Sequence, residues 1–581
     1  MPLDQSNKQL FVRVSLLALL ILTVAGTNYG LWNADIPLGD ESVYVSKAFN
    51  LSRDGHVATN LYFDTYILIF RHLTKDPIIA HYCMRFIASL FSVVAVFLLL
   101  SSLDWVNQFG AFVLALFWNL SFLNTPRIQF GNVNLFAFAL ACIGIYIRFI
   151  NCSRIGRLCS IGILISVVLI RVEYVLVLFL VGFHDMLICI KHVRNEGWSK
   201  QRKLQVNIAA GVILVAMGTI FVLPGLRNVL GELLSYIDQY LFMGFKQCYT
   251  AFVASRDGGF YLEPMTEFDV LMNSRFSGAS GFFHAVFLNP VEVGRYFLVN
   301  GISNALRLHH VFFHHSILQP IVLSVSNHLG LPHFAQEHSV FWYESLMTFL
   351  FLGLGSAWLC YKLFVSRKQV VVRNNEQIMV IMSLAGVSII PLVLLIPDSR
   401  YWIMVIPVFL WGPAALISRC YSPVKNHTTI ILALAISFLV VNPVFRSSIF
   451  KDAPNRDKDV VLALRKEISS LEKKPLKSLG YWPDPLLTFA VPGRWQGTSN
   501  IDVRNGSSYE ALVRSKMYDL VILDGTLKRT LQYKMELPFF ESFLRDPEAF
   551  DYKRILNATK RGGPVYIFRR DITKLRCCPF F

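Results

Sequence analysis

At 581 residues, with 54% hydrophobic and 16% charged side chains and a mean hydropathy of +0.48, the chain falls outside the ordinary soluble globular class. Its 55 Lys and Arg against 38 Asp and Glu leave a net charge of +17, much of it in short loops between apolar runs; this reads as membrane topology, and no nucleic-acid partner is expected. The ten Cys lie mainly in apolar segments (Cys83, Cys142, Cys360), in basic loops (Cys152, Cys159, Cys189, Cys420) or side by side near the end (Cys577, Cys578), a spacing that fits neither a disulfide framework nor a zinc site.

Apolar runs predict about eleven membrane spans at roughly 20 residues each. They cover 10–31, 84–103, 110–124, 133–150, 158–171, 173–190, 206–224, 341–364, 377–396, 401–418 and 428–446. The first contains Ala25-Gly26-Thr27 but is long enough to span, so it is expected to be a retained helix rather than a cleaved signal. Basic clusters at Arg148, Arg154 and Arg157, at Lys191 to Lys203, and at Lys362 to Arg373 mark cytoplasmic loops. By parity the N-terminus is cytoplasmic, and 32–83, 225–340 and the tail from 447 are outside.

In the first outer loop the acidic pair Asp40-Glu41 stands out. Two adjacent carboxylates at the outer end of a membrane helix are costly near lipid unless they face a wet cavity. Adjacent side chains diverge, so one would react and its neighbour would orient it. The other reading is that Asp40 caps a helix running from about Ser42 to Arg53, which is compatible with chemistry. At the outer turn of the 158–190 hairpin, Arg171 and Glu173 either pair with each other or contact substrate.

The outer region 225–340 suggests several short interfacial helices. Its histidines 309, 310, 314 and 315 decorate such a helix, touch a substrate or lipid headgroup, or bind metal; no acidic neighbour completes a zinc pattern. Residues 447–581 read as a small α/β domain. Helices are expected at Val460–Leu471 and Ser508–Met517, with strands at Leu486–Val491, Leu520–Leu523 and Val565–Phe568. No Gly-rich phosphate loop opens any of these helices, so nucleotide binding is not expected there.

A cytoplasmic N-terminal helix, a first outer loop opening Gly39-Asp40-Glu41-Ser42-Val43-Tyr44 and continuing to Asp54-Gly55, many helices and an outer C-terminal domain together resemble the GT-C glycosyltransferases. The similarity is to the bacterial branch related to protein O-mannosyltransferases and the aminoarabinose transferase of lipid A. It implies a mainly α polytopic membrane protein with an extracytoplasmic α/β domain, divided into 1–446 and 447–581. It also implies an inverting enzyme of the plasma (inner) membrane that moves a hexosyl or pentosyl group. The donor would be a polyprenyl-phosphate sugar and the acceptor a lipid, glycan or protein, with membrane lipids around it and no cofactor.

The resemblance carries the general-base role to Asp40 and a supporting role to Glu41. Asn124-Thr125-Pro126-Arg127 and Asn132-Val133-Asn134 lie where the family often has an Arg and a second acid. The acid is absent here, with Asn132 or Asn134 in its place, which weighs against a divalent metal. Pro397-Asp398-Ser399-Arg400-Tyr401 is similar to the family's Arg-Tyr element; Arg400 either meets the donor phosphate or pairs with Asp398 at the interface. The family's Lys and Pro are missing from Asn60 to Tyr66. Donor phosphate contacts are therefore expected from Arg127, Arg171 and Arg400, with Arg71 and His72 behind them, and weaker substrate contacts from Tyr44, Tyr62, Asp64, Asn132, Glu173 and Tyr401. A transporter or flippase is the alternative class, although no internal repeat is visible. A GT-C-like envelope assembly protein without activity is the other alternative.

Overall fold

The computed structural model describes residues 2–28, 35–36, 40–54, 60–103, 106–120, 132–150, 154–171, short pieces between 174 and 182 and between 238 and 253, 268–300, 417–418 and 426–441. In the C-terminal part it describes 457–469, 476–480, 484–492, 495–496, 507–525, 527–529, 531–560 and 563–571. The chain divides into two compact units: Met1–Arg171 with Tyr261–Glu263 and Pro413–Phe581, and Val172–Phe260 with Pro264–Gly412.

The first unit begins with α1 (Pro2–Thr27), α2 (Asp40–Asp54), α3 (Leu61–His72), α4 (Pro77–Ser101), α5 (Gln108–Leu120), α6 (Asn132–Ile150) and α7 (Arg154–Ile170). Among the described residues, the part of α1 from Gln9, all of α4 and all of α6 are long and apolar enough to cross a membrane, while α5 and α7 are shorter apolar helices. Expected spans 173–190, 206–224, 341–364, 377–396 and 401–418 lie wholly or mainly outside the described residues.

The expected span 84–103 needs correcting, because α4 starts at Pro77. Asp76 caps it, its Oδ1 accepting from Ile78 N–H at 2.7 Å, and Pro77 occupies a first-turn position where a missing N–H costs nothing. His81 falls in the expected outer region and Arg85 just inside the expected span, and both are buried on the helix.

α4 packs along α6, and α6 along α7. Small residues permit the close approach: Ala137, Ala139 and Ala141 of α6 are all buried, and a Cβ on Gly144 would lie 3.3 Å from Ile163 Cγ2 of α7. α3 begins at its own cap, where Asn60 Oδ1 accepts from Phe63 N–H at 3.2 Å. It then buries an aromatic face of Tyr62, Phe63, Tyr66 and Phe70 at helical spacing.

In the second unit the described residues include α8 (Phe268–Phe276) and α9 (Phe282–Leu288). Both are short, and they share an aromatic cluster in which Phe245 meets the Phe276, Phe282 and Tyr296 rings edge-on. Tyr249 Oη donates to Glu292 Oε1 at 2.7 Å, and Arg275 reaches the same oxygen at 3.3 Å. The four histidines from 309 to 315 lie outside the described residues.

The first unit resumes with the apolar α10 (Asn426–Val441), which packs on α1. It ends in an α/β domain: α11 (Asp457–Ser469), β1 (Leu476–Gly480), α12 (Asp484–Ala490), β2 (Trp495–Gln496), α13 (Tyr509–Arg514), β3 (Leu520–Leu523), α14 (Leu531–Met535), α15 (Leu537–Arg545), β4 (Tyr552–Lys560) and β5 (Gly563–Arg570). The sheet order is β2-β1-β3-β5-β4, parallel across β2, β1 and β3 and antiparallel from β3 outward. Beneath it Leu479, Val521, Leu523, Phe540, Phe543, Tyr552 and Phe568 form one core. Each such aromatic or aliphatic side chain contributes roughly 1.5–3 kcal/mol by leaving water.

The strand expected at Leu486–Val491 is instead the helix α12. Asp484-Pro485 supplies the helix start, since a proline in the first turn has its φ preset and needs no N–H partner. The apolar run that suggested a buried strand is the helix's inner face, with Leu486, Leu487 and Phe489 buried.

Candidate functional site

The first turn of α2 is where the acidic pair sits. Asp40 opens the helix and Glu41 follows it. Glu41 is 1% exposed, and both carboxylate oxygens are engaged. Oε1 accepts from the backbone N–H of Asn132 at 2.9 Å, and Oε2 accepts from Tyr62 Oη at 3.0 Å.

Asn132 is the first residue of α6, so one oxygen of Glu41 lies on that helix's free N-terminal N–H groups, where negative charge is favoured. Three elements, the neighbouring α2 and α3 and the distant α6, therefore meet on one carboxylate.

A cation completes the arrangement. Arg85 of α4 is 3% exposed and donates from Nη1 to Asn132 Oδ1 at 3.1 Å. It lies within electrostatic reach of Glu41. An isolated buried carboxylate or guanidinium would be strongly unfavourable, and Asn132 links the two opposite charges, its backbone N–H on Glu41 and its carboxamide oxygen on Arg85. The same carboxamide turns its NH2 toward His81 Nδ1 at 3.5 Å, which makes that ring nitrogen the acceptor. Edge-on rings wall the cluster: Tyr62 packs against Tyr44, Phe63, Tyr66 and Phe136. Burial first, and the Glu41 charge second, push the Tyr62 and Tyr66 phenols well above their ordinary value. Both therefore stay protonated, and Tyr62 is fixed as a donor.

The sequence-predicted residues fall into three groups. Glu41, Tyr62 and Asn132 come together in the buried cluster, with Tyr44 half-buried beside it. Asp40 is placed by the first turn of α2, Asp64 stands partly exposed in the first turn of α3, and Arg171 follows α7, its N–H bonded to Val167 O at 2.8 Å. Arg127, Glu173, Arg400 and Tyr401 lie outside the described residues. Arg71 and His72 are exposed in the last turn of α3.

Arg85 and His81 were missed by sequence reasoning. Their signal was available: both are polar residues four apart, on one face of a helix otherwise rich in apolar side chains. Among the described residues no group of three His, Cys, Asp or Glu side chains lies close enough to hold a metal ion.

No family model and no curated protein matches the chain. Among solved structures it is similar to the crystal structure of ArnT from Cupriavidus metallidurans bound to undecaprenyl phosphate, at 8% identity and a TM-score of 0.48, over 95% of this chain and 97% of that one. The apo state of the same protein gives 11% identity and a TM-score of 0.39 over the same shares. The apo oligosaccharyltransferase of Archaeoglobus fulgidus gives 11% identity and a TM-score of 0.42, over 89% of this chain and 70% of that one. All three TM-scores are below 0.5, so the function proposed below is carried by this chain's own residues.

Proposed function

We propose that the chain is a membrane glycosyltransferase that moves a sugar from a polyprenyl-phosphate donor to an acceptor on the outer face of the membrane, with inversion and with Asp40 as general base. One observation supports this above the rest: Glu41 has both oxygens engaged inside the protein, by Asn132 and Tyr62. Its neighbour Asp40, the first residue of the same helix, is then the acid of the pair assigned to the substrate. Glu41 is a positioning residue, fixing the turn that carries Asp40.

In the proposed step the acceptor hydroxyl or amine loses its proton to the Asp40 carboxylate as its lone pair forms a bond to the anomeric carbon. The bond from that carbon to the phosphate oxygen breaks on the opposite face, and the electron pair leaves with the polyprenyl phosphate. The charge that grows on the leaving phosphate calls for fixed cations, a role given to Arg127, Arg171 and Arg400. The donor would be delivered within the bilayer, so no soluble nucleotide sugar is needed.

The reading is tested with purified protein in detergent, supplied with a radiolabelled polyprenyl-phosphate sugar and a panel of lipid, glycan and peptide acceptors. Label passing to an acceptor, with polyprenyl phosphate released, is the expected result. Movement of intact donor across a vesicle bilayer with no cleavage would instead establish a flippase.

A further inference from the structure

The segment that carries the acidic pair is tied down at both of its ends by a single helix of the C-terminal domain. Asp35 lies just before α2. Its Oδ2 accepts from Asp457 N–H at 3.1 Å, and its Oδ1 from Lys458 N–H at 2.8 Å and from Ile36 N–H at 2.9 Å. The Asp457 and Lys458 N–H groups belong to the first turn of α11, so Asp35 caps α11 from another part of the chain.

Asp76 lies just after α3. Arg465, two turns further along α11, grips its carboxylate with both ends of the guanidinium, Nη1 to Oδ2 at 2.8 Å and Nη2 to Oδ1 at 3.0 Å. Two further donors of Arg465 go to the Phe489 carbonyl of α12, from Nε at 2.9 Å and from Nη2 at 2.7 Å, which fixes the fork in direction. Between the latches Lys458 Nζ sits 5.1 Å from the centre of the Tyr82 ring, and Phe489 meets the His81 ring edge-on at 6.2 Å.

We propose that α11 is a positioning element for the reaction: Asp35 and Asp76, held at two fixed points of one rigid helix, set the spacing of the segment between them and so the placement of Asp40 and Glu41. The two anchor points on α11 are seven residues apart (465 less 458), about 10 Å at helical rise. α2 and α3 lie between Asp35 and Asp76 in sequence, and α2 also packs on α12. Asp76 further couples the latch to the buried cluster, because the carboxylate held by Arg465 also caps α4, the helix that carries His81 and Arg85. The catalytic half of this inference rests on the proposed function; the mechanical half does not.

The test uses the full-length protein with Asp76→Asn and Arg465→Ala. Asparagine caps helices as well as aspartate does, so Asp76→Asn leaves the start of α4 in place and removes the charge on which Arg465 closes. Two readouts are taken. Peptide-resolved hydrogen exchange should rise in 40–54 and 61–72 in both variants, while β4 and β5 keep wild-type protection. Turnover of a polyprenyl-phosphate sugar should fall in kcat by about tenfold to a hundredfold with the donor KM unchanged, because a misplaced base costs rate rather than binding.

Arg465→Lys should recover only part of the rate, since an ammonium cannot hold both the carboxylate and the Phe489 carbonyl in the same geometry. If Arg465→Ala does not fold, Asp76→Asn carries the comparison. Wild-type exchange in 40–54 with Asp76→Asn overturns the latch whatever the activity does. Raised exchange in a protein that in wild-type form transfers no sugar keeps the latch and removes the glycosyltransferase reading. A rise in KM with kcat unchanged would make α11 part of donor binding and overturn the positioning role.

Discussion

Glu41 and Asn132 are 91 residues apart in sequence and joined at 2.9 Å, the carboxylate of one accepting the backbone N–H of the other at the head of α6. Because that N–H and the Tyr62 hydroxyl have been buried with Glu41 as acceptor, removing the carboxylate leaves both without it and leaves Arg85 without its opposite charge. Glu41→Ala should cost about 3–5 kcal/mol, the range for breaking a buried charge pair. Glu41→Gln, which keeps the shape and one acceptor oxygen, should cost about half as much. Thermal unfolding in one detergent, followed for both variants, checks the order.

Tyr62→Phe removes the second bond to Glu41 but keeps the ring that packs against Tyr44, Tyr66 and Phe136. The loss should be about 1.5–3 kcal/mol, the usual worth of a hydrogen bond to a charged group, with little effect from ring packing. A variant as stable as wild type would mean that this hydroxyl finds another acceptor.

Arg85 and Glu41 should behave as one electrostatic unit bridged by Asn132. Arg85→Met removes a buried positive charge within electrostatic reach of Glu41 and should be strongly destabilising. Adding Glu41→Gln should recover part of that loss, with a coupling energy of about 1–3 kcal/mol in a double-mutant cycle. Additive losses would show that the two charges do not sense each other.

The Asp76–Arg465 latch should give stability an acid limb. Burial alone would raise the Asp76 carboxyl, but the bonds from Arg465 and the N–H groups of Ile78 and Ile79 outweigh it and hold the carboxyl below its ordinary 3.8. A carboxyl depressed in the folded state binds its proton more weakly than in the unfolded chain. Its stabilisation is thus complete above the unfolded value and is lost as pH falls through the lower folded value. As pH falls below about 4 the unfolding temperature of the wild type should fall more steeply than that of Asp76→Asn. Parallel curves would count against an ionised pair.

What the sequence revealed depended on how local each signal was. The helix after Asp40, the buried strand Leu520–Leu523, the closing strand around Val565–Phe568 and the helix from about Val460 follow from short-range pattern, and the structure has all of them. Leu486–Val491 was misread because apolar periodicity outweighed Asp484-Pro485, a helix-start signal two residues upstream. The buried cluster was half legible. Glu41 and Tyr62 belong to the expected first outer loop, whereas Arg85 lies inside a run that reads as membrane helix and His81 just before it. The Asp35 and Asp76 latches join residues some 390 to 420 positions apart, and no local pattern encodes such a pairing.

The proposed chemistry turns on Asp40, and Asp40→Asn tests it most directly because the substitution keeps the helix-start chemistry while removing the base. Purified Asp40→Asn protein should unfold at the wild-type temperature and still bind the polyprenyl-phosphate sugar, yet transfer it at least about a thousandfold more slowly. Transfer at the wild-type rate by a folded Asp40→Asn protein would contradict the assignment of Asp40 as the base.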